Sequence, residues 1–365
     1  MKKTACASAA IIVFAAIACL CLFNEFGKNP TKEEIASYEK LSYFKDGIFQ
    51  SPEKISRYPD NIRNGPISLF RLAKTSPFAP KGKLPKIELN KDSFSETPDD
   101  FALYWLGHSS AIMEIGGKRI IFDPVLCNAA PIPFAAPRFD KAPIKRKDLP
   151  KADYIVITHD HYDHLEKKTV QSIKDGHFIV PLGVKTALRG WGIKENRITE
   201  LGWDDVFEKD GLKFIAHEGI HYSGRNFGKR DKTLWNSYII ISDNLKIFWG
   251  GDIGYGEAPE RAGKEFRRAG EKYGPFDLAV LEIDGWNPGW PNTHLFPNEV
   301  VLAAKDLNAK NVLPIHWAVF DLALHPWHES IDMVLDEAKD TDINILTPKM
   351  GEKINLNSKT ILWWR

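Results

Sequence analysis

The sequence predicts a layered α/β domain, and two patterns carry that expectation. From Phe101 onward, short runs rich in branched and aromatic residues recur between turn residues, as strands do. Stretches with helical spacing of apolar side chains lie between several of them, and strands alternating with helices imply sheets covered by helices. A chain of 365 residues can bury a substantial core, as one large domain with an extension or as two smaller ones.

The elements follow in chain order. Met1-Lys2-Lys3 precedes an uncharged, largely apolar run over residues 4–23, which reads as an export or membrane signal. The run is about long enough to cross a bilayer, so a cleaved signal peptide and a retained anchor both fit. Ala16-Ile17-Ala18 before Cys19 offers a cleavage or lipid-attachment site, without the leucine typical of lipoprotein signals. The protein is therefore expected to be exported, either periplasmic or membrane-anchored. Residues 24–100 are expected to form an extension that packs on the domain of residues 101–365. Thr31, Glu33 and Glu34, with Ile35, Tyr38 and Leu41, predict a short surface helix over residues 31–44, and prolines from Pro52 to Pro85 predict irregular chain after it. In the domain, strands are predicted at 101–106, 110–115, 119–122, 154–158, 178–181, 212–216, 237–241, 246–249, 278–283 and 311–315, with a hairpin turn at Gly116-Gly117. Helices are predicted at 165–174, 259–273, 297–307 and 329–339.

Basic and acidic side chains nearly cancel, 49 against 48, so no global field draws the protein to nucleic acid. The one dense basic run, Lys145-Arg146-Lys147, is short, and no nucleic-acid partner is expected. Cys6, Cys19 and Cys21 lie in the N-terminal run and leave Cys127 alone, which excludes an intramolecular disulfide in the domain and, with no C-x-x-C partner, argues against cysteine metal ligands. Metal chemistry would have to use histidine and carboxylate.

Those residues converge where the strand at 154–158 runs into His159-Asp160-His161-Tyr162-Asp163-His164. A polar loop with histidines by chance is the plain alternative, yet three histidines and a spaced aspartate at one strand end point to metal binding. His159 and His161 can reach one ion while Asp163 and His164 turn to a second. Imidazole and carboxylate suit zinc, iron or manganese.

The H-x-H-x-D-H run resembles the signature of the metallo-β-lactamase superfamily. Trp105-Leu106-Gly107-His108-Ser109-Ser110, Phe122-Asp123-Pro124-Val125, Ala136-Pro137-Arg138-Phe139, Pro181-Leu182-Gly183, Gly251-Asp252-Ile253-Gly254-Tyr255 and Gly274-Pro275-Phe276-Asp277-Leu278-Ala279 narrow it further. In that order they resemble the branch containing N-acyl-phosphatidylethanolamine-hydrolysing phospholipase D. The resemblance implies a four-layer αββα sandwich with two divalent ions, zinc above all, at one edge of the sheets. It implies His159, His161 and His221 on the first ion, Asp163, His164 and His316 on the second, and Asp252 bridging them. All the donors follow strands, as a site on a sheet edge requires.

His217 competes with His221 because both lie at the same parity past one strand; the family spacing favours His221. By the same resemblance Asp123 lies behind the ligands and orients a histidine. His108 matches a family histidine outside the metal set. His294 either contacts the substrate phosphate or leaving oxygen, or packs at a helix start. Nothing is assigned to His177, His325 and His328. Where phospholipase members carry Ile-Gly-Ala-Tyr, this chain reads Ile283-Asp284-Gly285-Trp286, so Asp284 and the Trp286 indole are expected to reshape the substrate pocket. Trp286, Trp290 and Phe320 are candidates to line an apolar entrance, with a core role the alternative.

Two ions sharing Asp252 would share a solvent molecule, lower its pKa and present hydroxide to an electrophile. The expected function is hydrolysis of a phosphodiester, an N-acyl phospholipid or similar lipid at a membrane surface. A lactonase or carboxyl-ester hydrolase is the alternative, and a non-catalytic metal-binding envelope protein a third reading.

Overall fold

The computed structural model describes residues 25–55, 77–130, 136–225, 230–323 and 325–365, so the signal or anchor expected at 1–23 lies outside the described residues. At the N-terminal end, Thr31 and Glu34 form a reciprocal capping box that starts helix α1, Lys32–Tyr38. A two-strand hairpin follows, β1 at Phe44–Lys45 and β2 at Ile48–Phe49. Tyr38, Phe44 and Phe49 are buried against Leu234 and Trp235, which lie much later in the chain.

One sheet is built from β3 (Phe101–Gly107), β4 (Ser110–Ile115), β5 (Lys118–Phe122), β6 (Tyr154–Val156), β7 (His177–Pro181) and β8 (Ile198–Leu201). Helices α2 (Lys167–Ser172) and α3 (Lys185–Gly190) accompany it. The second sheet holds β9 (Val206–Lys209), β10 (Leu212–His217), β11 (Ser237–Ile241), β12 (Lys246–Trp249), β13 (Leu278–Glu282), β14 (Asn311–Ile315) and β15 (Asn344–Ile345). Its helices are α4 (Lys264–Tyr273), α5 (Pro297–Asp306) and α6 (Glu329–Ala338). A last strand, β16 (Lys353–Ile354), returns to the first sheet and pairs with β3. The orders are β16-β3-β4-β5-β6-β7-β8 and β15-β14-β13-β12-β11-β10-β9.

Alternation of side chains makes the layers. In β3, Leu103 and Trp105 face the core between the sheets, while Ala102, Tyr104 and Leu106 face the outer core beneath α2 and α3. Both faces are covered, so the strands read as continuous apolar runs. On the other side, Phe266, Val300 and Ile331 of α4, α5 and α6 close the second sheet. The result is the expected αββα sandwich. Phe122 and Trp249 stack across the interface with centroids 3.7 Å apart, one at the end of β5 and the other at the end of β12.

Gly116 and Gly117 both have positive φ, 56° and 69°, the geometry of a tight hairpin turn between β4 and β5. The predicted helix at 259–273 begins only at Lys264, because Gly263 is left-handed at φ 66° and caps it. The helix predicted over 31–44 ends at Tyr38, and the chain turns into β1 instead. No helix among the described residues is long and apolar enough to cross a membrane.

Candidate metal centre

Strands β3, β5 and β6 run parallel to one another in the first sheet, and β10, β12, β13 and β14 do so in the second. Their C-terminal ends meet at one edge of the sandwich. The donors therefore come from both sheets rather than from one: His108, Asp123 and the loop at 159–164 from the first, His221, Asp252, Glu282 and His316 from the second.

Two groups of donors form there, each with ligand atoms within 4.8 Å of one another: His159, His161, His221 and Asp252, and His108, Asp163, His164 and His316. Asp252 joins them. Its Oδ2 lies 3.6 Å from His159 Nε2, 3.7 Å from His221 Nε2 and 3.3 Å from His316 Nε2, and its Oδ1 lies 3.1 Å from His164 Nε2. Ligand atoms on one zinc ion sit about 3.3 Å apart, as bonds of ~2.0–2.1 Å at tetrahedral angles dictate.

The far nitrogens fix this aim. His164 Nδ1 pairs with Asp123 Oδ2 at 2.8 Å, His221 Nδ1 with the Thr293 carbonyl at 3.1 Å and His316 Nδ1 with the Asp284 carbonyl at 3.1 Å. Asp123 is itself held by the Thr158 amide and hydroxyl at 2.8 and 2.6 Å and stands behind His164. Asp163 Oδ2 pairs with His108 Nε2 at 2.9 Å, which draws His108 closer to the centre than the sequence implied. Gly251 permits the crowding: at φ 63°, an added Cβ would lie 2.7 Å from Thr158 Cβ.

The donor set fits a cation. Buried Nε2 atoms of His164, His221 and His316 and Oδ1 of Asp252 have no hydrogen-bond partner among the described residues, although they converge. Burial pushes the His159, His161 and His221 imidazoles below their ordinary range, toward the neutral form that ligates. Burial acts to raise Asp163 and Asp252, but His164 and the other imidazoles hold both well below the usual carboxylate range.

His217 is not part of either group. Its Nε2–H donates to the Glu265 carbonyl at 2.9 Å, so between the two candidates past β10 it is His221 that reaches the centre. A cavity of about 300 Å³ opens on the donors, with His161, Asp163, Asp252, His294 and His316 on its wall.

Two expectations for this cavity are corrected, and for a third the core alternative holds. Trp286 does not line it among the described residues; its indole donates to Ser330 Oγ at 3.0 Å and stacks on His325 at 4.5 Å. Asp284 turns the same way and pairs with His325 Nε2 at 3.1 Å, satisfying a carboxylate that has little exposure. Trp290 and Phe320 are core residues, with Trp290 Nε1 donating to the Gly285 carbonyl and Phe320 lying edge-on to His108. The described wall is accordingly more polar than the apolar entrance expected.

Glu282 escaped the sequence reading. Fully buried at the end of β13, it accepts from the Ile253 amide at 2.8 Å and pairs with His294 Nδ1. Asp252, Glu282, His294 and His316 form a third cluster of donor atoms. The available signal was a lone carboxylate inside the apolar run 278–283, because a buried charge needs a partner.

Comparison with known proteins agrees with this geometry. The family described as "Beta-lactamase superfamily domain" matches residues 118–317. The chain is 33% identical to an uncharacterized protein of Mycobacterium tuberculosis over 338 residues, covering 90% of this chain and 88% of that one. It is 30% identical to N-acyl-phosphatidylethanolamine-hydrolyzing phospholipase D 1 of Caenorhabditis elegans, covering 84% of this chain and 91% of the relative. Among solved structures, the metallo hydrolase Igni18 of Ignicoccus hospitalis superposes with a TM-score of 0.54 at 21% identity, over 70% of this chain and 97% of that one. With its fold, donor groups and relatives in agreement, the chain belongs to the metallo-β-lactamase superfamily and is a metal-dependent hydrolase.

Proposed function

We propose that the protein hydrolyses the phosphodiester of a lipid head group, of the N-acyl phosphatidylethanolamine type, at a centre for two divalent ions. The carrying observation is that two four-residue donor groups meet at Asp252 on the wall of an open cavity. Similarity to the Caenorhabditis elegans phospholipase over nearly its whole length supports the lipid substrate. His159, His161 and His221 would hold one ion, Asp163, His164 and His316 the other, and Asp252 both; their imidazole-rich set suits zinc, with iron and manganese the competing ions. Such ions, when bound, lower the pKa of water and neutralise charge on the attacked group.

The remaining work falls to the chain. Asp123 and Thr158 fix the His164 ring, and His108 fixes Asp163. His294 points one nitrogen at Glu282 and lines the cavity, in place to hand a proton from Nε2 to the leaving oxygen. A cavity of about 300 Å³ takes a head group rather than acyl chains, which would stay with the membrane. We propose that the apolar residues 4–23 direct export and keep the enzyme near that surface.

The test compares metal-loaded enzyme on long-chain N-acyl phosphatidylethanolamine, bis-p-nitrophenyl phosphate and a lactone panel, with Asp252→Ala as control. Turnover of the diesters that is lost in the control is expected. Lactone turnover orders of magnitude faster, without diester cleavage, overturns the phosphodiester reading in favour of an ester hydrolase.

A further inference from the structure

Arg230 stands on the wall of the metal cavity, and no hydrogen bond, ion pair or ring contact engages its guanidinium among the described residues. Every other described arginine is committed. Arg225 donates to the Leu165 carbonyl, Arg119 to Glu114, Arg138 to the Val125 carbonyl, Arg189 to Glu34, Arg268 to Asp204, and the rest likewise to carbonyls or carboxylates. Arg230 is also near the donors. The point beside Gly224 where a Cβ would sit lies 3.8 Å from Arg230 Cγ and 3.9 Å from His161 Nε2, with the guanidinium farther along the same flexible side chain.

Among the described wall residues Arg230 is the one permanently charged cation, because the others are histidines, aspartates, tyrosines and small or apolar residues. A guanidinium fork matches the oxygens of a phosphate in a bidentate pair, and such charge-assisted bonds are roughly twice as strong as neutral ones. A neutral ester or lactone offers no anion to pair with it.

We propose that Arg230 binds a non-bridging oxygen of the substrate phosphate and so gives the site its preference for anionic diesters over neutral esters. This rests on the phosphodiester reading above and adds the residue that enforces it. The sequence places Arg230 at the end of Lys229-Arg230, where no motif singles it out, and only the fold brings it opposite His161.

The test uses the full chain as wild type, Arg230→Ala and Arg230→Lys, with metal content and melting temperature measured for each. Inorganic phosphate binding is followed by calorimetry, and KM and kcat are measured for bis-p-nitrophenyl phosphate and neutral p-nitrophenyl acetate. Arg230→Ala is expected to weaken phosphate binding about tenfold or more and to raise KM for the diester by a similar factor, a change of roughly 1.4 kcal/mol. Metal content and acetate turnover should stay as in wild type, and Arg230→Lys should recover part of the affinity. Phosphate affinity within twofold of wild type, no phosphate binding at all, equal losses for diester and acetate, or loss of metal from Arg230→Ala would each overturn the proposal. If the wild type cleaves only the neutral ester, the phosphodiester reading fails, and the calorimetric comparison still decides for or against Arg230 as an anion contact.

Discussion

Glu282 and His294 are bonded side chain to side chain, carboxylate Oε2 to ring Nδ1, with the carboxylate wholly buried and the ring on the cavity wall. The pairing gives the ring's two nitrogens different tasks: Nδ1 is engaged by Glu282, and Nε2 is left for the cavity, where the imidazolium form that Glu282 favours has a proton to give. Burial acts to lower the His294 ring, and Glu282 beside it reverses that and raises it. Glu282→Gln should keep the volume while removing the charge, and kcat for a diester should fall about 10- to 100-fold, the range seen when a supporting partner is lost. Glu282→Ala should in addition leave the Ile253 amide buried without an acceptor, lowering stability by about 1–3 kcal/mol. Unchanged kcat in Glu282→Gln would show that His294 needs no such partner.

Asp252→Ala removes the carboxylate that belongs to one donor group and lies 3.1 Å from His164 of the other. Elemental analysis of the purified variant should show less bound metal per chain, together with loss of turnover. Full metal content with near-normal rate would mean that Asp252 does not bridge.

Chelation offers a separate check on the centre. A ligand that binds only the native state stabilises it by mass action, so removing the metal should lower the melting temperature, and adding zinc should restore it in a concentration-dependent manner. Identical melting curves with and without chelator would exclude a tightly held ion.

His217 supplies a pH dependence away from the donors. Burial pushes it down to about 4 from an ordinary 6.5. The unfolded chain therefore takes up this proton first as the pH falls, and the stability His217 confers is complete above about 6.5 and lost toward 4. His217→Gln, which retains a donor for the Glu265 carbonyl, should reduce the drop in urea midpoint between pH 7.5 and pH 5. Equal drops for both proteins would contradict the assignment.

Phe122 and Trp249 stack between the sheets and immediately precede Asp123 and the Gly250-Gly251-Asp252 turn. Trp249→Ala should destabilise the fold by about 3–5 kcal/mol in urea titration. Because Asp252 hangs from the same strand end, zinc affinity should fall with it; a variant with full affinity would show that the turn holds its own shape.

Strands with long apolar runs were legible: Ser237–Ile241, Lys246–Trp249 and Asn311–Ile315 form over the predicted residues. Helix Lys185–Gly190 was not, since six residues hold too little helical period to see. Val206–Lys209 is an edge strand of mostly exposed residues, so its side chains lack the apolar alternation that marks a strand. In the site, His159, His161 and His164 lie close enough in sequence to be read together, whereas Glu282 and Arg230 come beside the donors only through the tertiary fold. Asp284 and Trp286 misled because a loop position near the donors does not fix the direction of a side chain, and His325 drew both away.

Supply of donors by two sheets also orders events in time. The part of the chain synthesised first carries His108, His159, His161, Asp163 and His164, but each donor group needs a contribution from the later sheet. An ion met by this nascent half would find imidazoles without Asp252 and without His316. Under the proposed two-ion centre, capture of the full complement would wait until His316, the last donor along the chain, had docked, so metal uptake would mark the closing of the sandwich rather than its beginning.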